Sequence, residues 1–378
     1  MTQSMPSFEA ALSSAQRVDP QYRPTWVGRS PEEQVALALY FLPHNSGKPL
    51  LAPTRPRVIK WYCPFACQST FPSGHRYCIN VFTGCSHKCE YCYALGYAPE
   101  TPSCKKGFEQ MVDRDMEDLE RFDVAPAPVH LSNSTDPFQP LEAASGHTRY
   151  ALAQILVHRR RFTSVRILTK NPLMPIRLGY VDLVKGLIDL PSGHPCAATF
   201  KQRGSPGLCV EVSLAFWREE ARAAYDPGAP TVEERKEGIR ALRHAGIPVV
   251  LRIDPLFPRV PLGADRSRMY ASFGLVEPQS AEDLNSLVGF AKEVGALYVV
   301  HSPAKIVQPR GRKLSDLMQA MRRVYDLAAA PDKPIFRGGA WRLPDAIART
   351  QVTEPFLATC LRVGVTAKHC KRNLIETP

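Results

Sequence analysis

The chain is predicted to be an α/β protein with a parallel sheet, and three observations support that expectation. Short β-rich runs alternate with helical patterns from Tyr77 to Ala329. Several helices carry explicit start and stop signals. Polar residues gather where the strand-like runs end.

The strand-like runs are Tyr77–Phe82, Pro128–Ser132, Val165–Thr169, Leu208–Leu214, Ile247–Ile253 and Ala296–His301. Helical patterns fall at Gln110–Arg121, Glu142–Arg160, Pro175–Ile188, Val232–Ala245, Ala281–Val294 and Leu314–Ala329. Strand-then-helix alternation implies parallel strands joined by right-handed crossovers. Thr231 and Glu234 form a capping box, and Gly246 supplies the left-handed stop of that helix. Ser280 and Gly295 bracket the next helix in the same way. Six βα units make either an open doubly wound sheet or a partial barrel, and periodicity does not choose between them.

In both architectures ligands bind at the carboxyl ends of the strands. Ser132-Asn133-Ser134-Thr135-Asp136 follows the second run and Lys170-Asn171 the third. Glu211 and Ser213 share one face of the fourth. The fifth ends in Arg252 and Asp254, and the sixth in His301-Ser302. Taken singly, such residues often only cap the following helix. Taken as a series, they outline the mouth of a site.

At 378 residues, with 44% hydrophobic and 22% charged residues, the composition is that of a globular protein with a substantial core. The longest apolar stretch, Val35–Leu42, is too short to span a bilayer, and the N-terminus lacks a secretion pattern, so a cytoplasmic location and no membrane partner are expected. The net charge of +12 favours an anionic partner. Residues 1–60 read as an N-terminal extension, with a helix over Pro31–Leu42 capped by Ser30. Residues 61–305 carry the βα rhythm, and residues 306–378 read as a helical and basic C-terminal extension.

Eleven cysteines are present, six of them between Cys63 and Cys92. Without an export signal, metal or cluster ligation is favoured over disulfides. Cys85, Cys89 and Cys92 stand at C-x3-C-x2-C spacing just after the first strand-like run. A loop this tight aims three soft thiolates at one point, which suits an iron–sulfur cluster, zinc or Cu(I). Three ligands on a four-iron cubane leave one iron open for chemistry, whereas structural zinc wants a fourth ligand nearby.

C-x3-C-x2-C with an aromatic residue before the last cysteine, here Tyr91, resembles the signature of radical S-adenosylmethionine (SAM) enzymes. The surrounding Thr83-Gly84-Cys85-Ser86-His87 and Tyr91-Cys92-Tyr93-Ala94 resemble the spore photoproduct lyase-like (DNA repair photolyase-like) branch. Three further motifs occur in the same order. They are Thr135-Asp136-Pro137-Phe138-Gln139-Pro140 with Glu142 and Thr148-Arg149, then Thr169-Lys170-Asn171, then Pro230-Thr231 through Ala245-Gly246-Ile247-Pro248.

The resemblance covers Tyr77 to His301 and implies a partial (βα)6 TIM-type barrel. It implies a [4Fe-4S] cluster on Cys85, Cys89 and Cys92, with the SAM amino and carboxylate groups on the open iron. Tyr91 would lie beside the adenine, Lys170 would meet the SAM carboxylate, and Ser134 and Ser213 would make polar contacts, with Glu211 sharing the face of Ser213. Reductive cleavage of SAM would yield methionine and a 5′-deoxyadenosyl radical that abstracts hydrogen. An electron donor such as flavodoxin or ferredoxin is then a partner. One departure stands out: the branch's namesake returns hydrogen through a cysteine near the end of the second strand, and Val129–Asp136 has none.

Other residues take two readings. Cys63, Cys67, Cys78, Cys360 and Cys370 either form a second metal or cluster site or serve as small buried apolar residues. Cys104, Cys196 and Cys209 are expected to pack. His87 is expected to be a solvated loop residue, and His301 is a candidate for the site. Arg159-Arg160-Arg161 reads as a helix end that complements the dipole. Arg259, Arg266 and Arg268, with Lys305, Arg310, Arg312 and Lys313, follow the last two runs and suit an anionic substrate such as a nucleic acid, a nucleotide or a peptide. Tyr270 and Phe273 are candidates to stack on a base. The alternative function is a zinc-stabilised nucleic-acid-binding protein without catalysis.

Overall fold

The computed structural model describes residues 58–60, 76–121, 126–258 and 266–370. The Pro31–Leu42 helix, Cys63, Cys67 and Arg259 lie outside them, as do the side chains of Arg266 and Arg268. The strands are β1 (Ile59–Lys60), β2 (Tyr77–Ile79), β3 (Phe82–Thr83), β4 (Ser103–Cys104), β5 (Ala127–Leu131), β6 (Phe162–Thr169) and β7 (Leu208–Ser213). They continue with β8 (Val249–Arg252), β9 (Val299–His301), β10 (Ile306–Val307), β11 (Ile335–Arg337), β12 (Ala340–Arg342) and β13 (Ala367–His369).

The main sheet runs β1-β2-β5-β6-β7-β8-β9-β13. From β2 onward every pairing is parallel, while β1 is antiparallel on the β2 edge. The order never reverses, so each crossover steps to the next position. A doubly wound sheet would turn back at a switch point. This is the winding of a TIM-type barrel, and among the described residues it is open, with β13 and β1 at its two edges. All six expected strands are present.

Side-chain alternation divides the strands into two faces. Val129, Leu131, Val165, Ile167, Val210, Val212, Val249, Leu251 and Val299 join the large core packed under the helices. Cys209, Val250, Tyr298, Val300 and Cys370 form a separate small cluster on the opposite, inner face. Pairing registers place Cys78 beside His130, His130 beside Arg166, Arg166 beside Cys209, and Ser213 beside Arg252 on that inner face.

The helices depart from expectation where glycine adopts positive φ. The pattern Glu142–Arg160 is two helices, Leu141–Ser145 and His147–Val157, separated by Gly146 at φ 64°. The buried Glu142 carboxylate accepts from the Thr148 and Arg149 amides at 2.8 and 3.1 Å, capping the second helix across the break. Pro175–Ile188 likewise divides into Met174–Arg177 and Val181–Lys185. The Thr231–Glu234 capping box is present, and a second box pairs Ser280 with Asp283. Arg159 is buried and donates to the carbonyls of Leu187 and Gly207, so it braces two loops as well as ending a helix.

The stretch 306–370 contributes structure that the sequence left unread. An antiparallel β10-β12-β11 sheet precedes the helix Glu354–Val363, and β13 then becomes the seventh parallel strand. Among the described residues, no helix is long and apolar enough to cross a membrane.

Gly238 shows how tightly the helix Val232–His244 packs on the loop after β6. A Cβ there would lie 2.6 Å from Leu173 N and 2.8 Å from Pro172 C. Gly238→Ala gains about 1 kcal/mol of helix propensity in isolation. Because the collision is with backbone, we expect a net loss of about 1–3 kcal/mol instead, read as a lower urea midpoint.

Candidate functional site

One cavity of about 430 Å³ opens at the carboxyl ends of the parallel strands. Cys85, Cys89, Cys92, Tyr91, Ser134, Lys170, Ser213 and Arg252 all line it. Glu211 and His301 are not among the lining residues. Both are buried just behind the wall.

The cysteine loop begins where β3 pairs with β4, which closes the segment between them. All three thiols are free of disulfides. Its backbone is held from two sides. On one side Gln139 accepts from Ser86 N at 3.0 Å and donates to Gly84 O at 3.3 Å. His87 Nε2 donates to Asp136 Oδ2 at 2.9 Å. The same carboxylate accepts from Phe138 N, Thr169 Oγ1 and Lys170 N at 2.8, 2.8 and 2.6 Å. Asp136 therefore joins the cysteine loop to the ends of β5 and β6. The expectation that His87 is solvated is corrected: it is 2% exposed, because this carboxylate compensates its burial.

On the other side, Glu90 N donates to Tyr225 O and Gly228 N donates to His87 O, both at 3.0 Å. A Cβ on Gly228 would overlap Ser86 O, so only glycine fits this approach. Between these two contacts lies Asp226, fully buried. It accepts from Lys170 Nζ at 3.1 Å and from both terminal nitrogens of Arg235 at 3.2 Å. Lys170 also donates to Tyr91 Oη at 2.8 Å and Ser213 Oγ at 3.0 Å. Burial pushes the Lys170 ammonium down, but Asp226 and Cys89 together hold the group above its ordinary value.

Burial, followed by the nearby Asp136 carboxylate, pushes the Cys85 thiol up to about 12. Burial also raises Cys89 and Cys92. Lys170 acts on all three thiols in the opposite sense, toward thiolate. Among the described residues, no three His, Cys, Asp or Glu side chains converge closely enough to hold one metal ion. Three soft thiols lining one cavity are a donor set that suits an iron–sulfur cluster, whose thiolates sit on separate irons.

Across the cavity, Arg252 donates to Glu211 Oε2 and Asp254 Oδ2 at 2.6 Å and to Cys370 Sγ at 2.9 Å. Burial alone would raise the Glu211 carboxyl, yet Arg252, His130 and Arg166 together hold it at about 2. Ser134 Oγ lies 2.7 Å from the Tyr97 hydroxyl. Lys305 sits over the Tyr93 ring at 5.6 Å, and Lys305 and Arg342 both line the cavity.

Several other expectations change. Cys360 packs in the large core and Cys370 on the inner face, while Cys78 accepts from Asn133 Nδ2, so the structure does not bring these three together. Cys104 is exposed, because the short β3–β4 pair leaves it at the surface. Tyr270 is buried with its hydroxyl on Pro258 O, and Phe273 stacks with Arg323, so neither ring is presented to a base. Arg312 pairs with Glu100.

With this geometry in place, the comparison with solved structures is decisive for the fold. A point variant of spore photoproduct lyase superposes with a TM-score of 0.51 over 84% of this chain and 80% of that one, at 14% identity. The chain has the spore photoproduct lyase fold. At this identity the likeness to the lyase is one of fold. No family model matches the chain. An uncharacterized protein of Methanocaldococcus jannaschii is 27% identical over 187 residues, which is 49% of this chain and 62% of that protein. An uncharacterized protein of Mycobacterium tuberculosis is 28% identical over 195 residues, 49% of this chain and 51% of that protein. The matched region thus spans about half to three-fifths of these relatives' length.

Asp226, Gln139 and Gly228 were not singled out from the sequence as site residues. Asp226-Pro227-Gly228 reads as an ordinary turn, and nothing in it signals which loop it will touch.

Two outcomes follow. Asp136→Asn weakens the hub that holds the cysteine loop and is expected to cost about 1–3 kcal/mol, read as a lower urea midpoint. His301 is held at about 4 by burial, followed by repulsion from His369, with Asp254 opposing. The unfolded chain therefore takes up this proton first as pH falls. The stability His301 contributes is complete above about pH 6.5 and is lost toward about pH 4, by up to about 3 kcal/mol. His301→Phe is expected to flatten that acid limb in urea melts.

Proposed function

We propose that this chain is a radical SAM enzyme carrying a [4Fe-4S] cluster on Cys85, Cys89 and Cys92. The observation that supports it most is that all three cysteines line the same strand-end cavity as Tyr91, Ser134 and Ser213. In the proposed reaction the cluster, when bound and reduced, supplies one electron that cleaves SAM to methionine and a 5′-deoxyadenosyl radical.

The protein's part is to orient and to exclude water. Asp136, Gln139 and the Tyr225–Gly228 segment hold the ligand loop. Tyr91 lines the cavity and is held edge-on from behind by Phe216 and Phe257, which suits a ring placed beside an adenine. Ser213 and Ser134 offer hydroxyls for polar contacts with SAM. Lys305 and Arg342 on the cavity wall support an anionic substrate, of which nucleic acids, nucleotides and peptides are the candidates. Repair of the spore photoproduct is not proposed, because Val129–Asp136 contains no cysteine. A low-potential donor of the flavodoxin or ferredoxin kind would supply the electron.

Protein purified without oxygen is expected to be brown and to contain iron and sulfide. With dithionite and SAM it is expected to form 5′-deoxyadenosine, detected by mass spectrometry, and Cys89→Ala is expected to reduce this to background. A colourless, zinc-loaded protein that leaves SAM intact would favour the non-catalytic nucleic-acid-binding alternative.

A further inference from the structure

The cavity has a second wall, on the inner face of the barrel, that the proposed cofactor chemistry leaves without a task. His130 lines it together with Arg76, Asn133 and Arg252, and is itself only 2% exposed. His130 Nδ1 donates to Asn133 Oδ1. Arg76 donates to the same oxygen at 3.5 Å, and Asn133 Nδ2 donates to Cys78 Sγ. The Asn133 amide is thereby fixed with its oxygen toward the imidazole, so Nδ1 carries the ring proton and Nε2 keeps a lone pair. Burial, followed by Arg76, holds the ring well below the usual imidazole range, with Glu211 opposing, so the ring stays neutral.

That lone pair is buried and has no hydrogen-bond partner among the described residues. The burial of such an acceptor is offset only when a donor reaches it. Glu211 Oε2 stands 4.0 Å from Nε2, and it is an acceptor too, ionised and held by Arg252 at 2.6 Å. A lone pair backed by a carboxylate favours a nitrogen with two hydrogens and disfavours a carbonyl oxygen. A hydroxyl offers one hydrogen only. The ring N–H of uracil or thymine brings its flanking carbonyls toward the carboxylate. Lys305 and Arg342 border the same cavity and suit a phosphate. One compact molecule carries both groups: a nucleotide whose base bears an exocyclic amino group. A peptide supplies such a nitrogen only through particular side chains on flexible stems.

We propose that this wall is a substrate subsite in which His130 Nε2 accepts a hydrogen bond from the exocyclic amino group of a nucleotide base, free or within a single strand, while Lys305 and Arg342 meet its phosphate. This rests on the radical SAM reading in taking the cavity as the place of reaction. The test uses the full chain reconstituted with its cluster without oxygen, as wild type, His130→Phe and His130→Gln. Dissociation constants of CMP, AMP, GMP and UMP are measured by equilibrium dialysis, and those of short oligo(dA), oligo(dC) and oligo(dT) by fluorescence anisotropy. Wild type is expected to bind at least one amino-bearing nucleotide or oligonucleotide about tenfold more tightly than its uracil or thymine counterpart. His130→Phe is expected to reduce that preference to within about twofold, and His130→Gln, whose amide oxygen also accepts, to keep part of it. A preference shown by the mononucleotides points to a free nucleotide, and one confined to the oligonucleotides points to a nucleic acid.

The proposal is overturned if the uracil and thymine ligands bind as well as the others, if His130→Phe keeps the preference, or if no nucleotide or oligonucleotide binds. Binding of a peptide bearing lysine and aspartate in their place overturns it as well. So does a loss of about tenfold in SAM affinity in His130→Phe, which would assign the acceptor to the cofactor. If neither variant folds, the wild-type ratio decides. Formation of 5′-deoxyadenosine by the same preparations keeps the two readings apart. A preference without SAM cleavage counts against the proposed function alone, and SAM cleavage without a preference counts against the subsite alone.

Discussion

Two buried carboxylates hold the cysteine loop to the rest of the molecule. Asp136 gathers His87, Thr169 and two backbone amides, and Asp226 gathers Lys170 and Arg235. Both carboxylates are buried, so each depends on its donors to offset the loss of water. That dependence runs both ways. Donors drawn from the end of β6, the helix Val232–His244 and the ligand loop must all arrive in place for the two charges to be tolerated. The barrel therefore fixes the loop by a polar requirement, with packing as the background.

The consequence for the cavity is a division of labour between its walls. The cysteine side is stiffened by ion pairs and by the glycine-specific contact of Gly228 with Ser86. The far side carries Arg252 bridging Glu211 and Asp254, with Lys305 and Arg342 bordering the same space. Burial raises the thiols, and Lys170 works against that effect on each of them.

The strands were legible because period-2 apolar runs and turn punctuation are local signals, and Val165–Thr169 or Leu208–Leu214 needed no partner to be recognised. The helix Val232–His244 was legible down to its capping box. The breaks at Gly146 and Gly179 were missed because an isolated glycine inside a helical pattern is usually tolerated, and only packing shows which glycine turns left-handed. Strand β13 was missed because Ala367–His369 is short, partly polar and paired only on one side, so nothing local marks it as a strand.

His87 illustrates the remaining limit. Beside Lys88 and Ser86 it looks solvated, and it is buried because Asp136, in the loop after β5, and Gly228 meet its two ring nitrogens. The sequence alone determined the alternation of strands and helices, the spacing of Cys85, Cys89 and Cys92, and the gathering of polar residues at strand ends, since each follows from neighbours a few positions apart. The tertiary structure decided barrel winding over a doubly wound sheet, the pairing of Lys170 with Asp226, and the burial of His87. Those outcomes depend on which distant segments share a strand end, and hydrogen-bond valence is satisfied only after the chain has closed on itself.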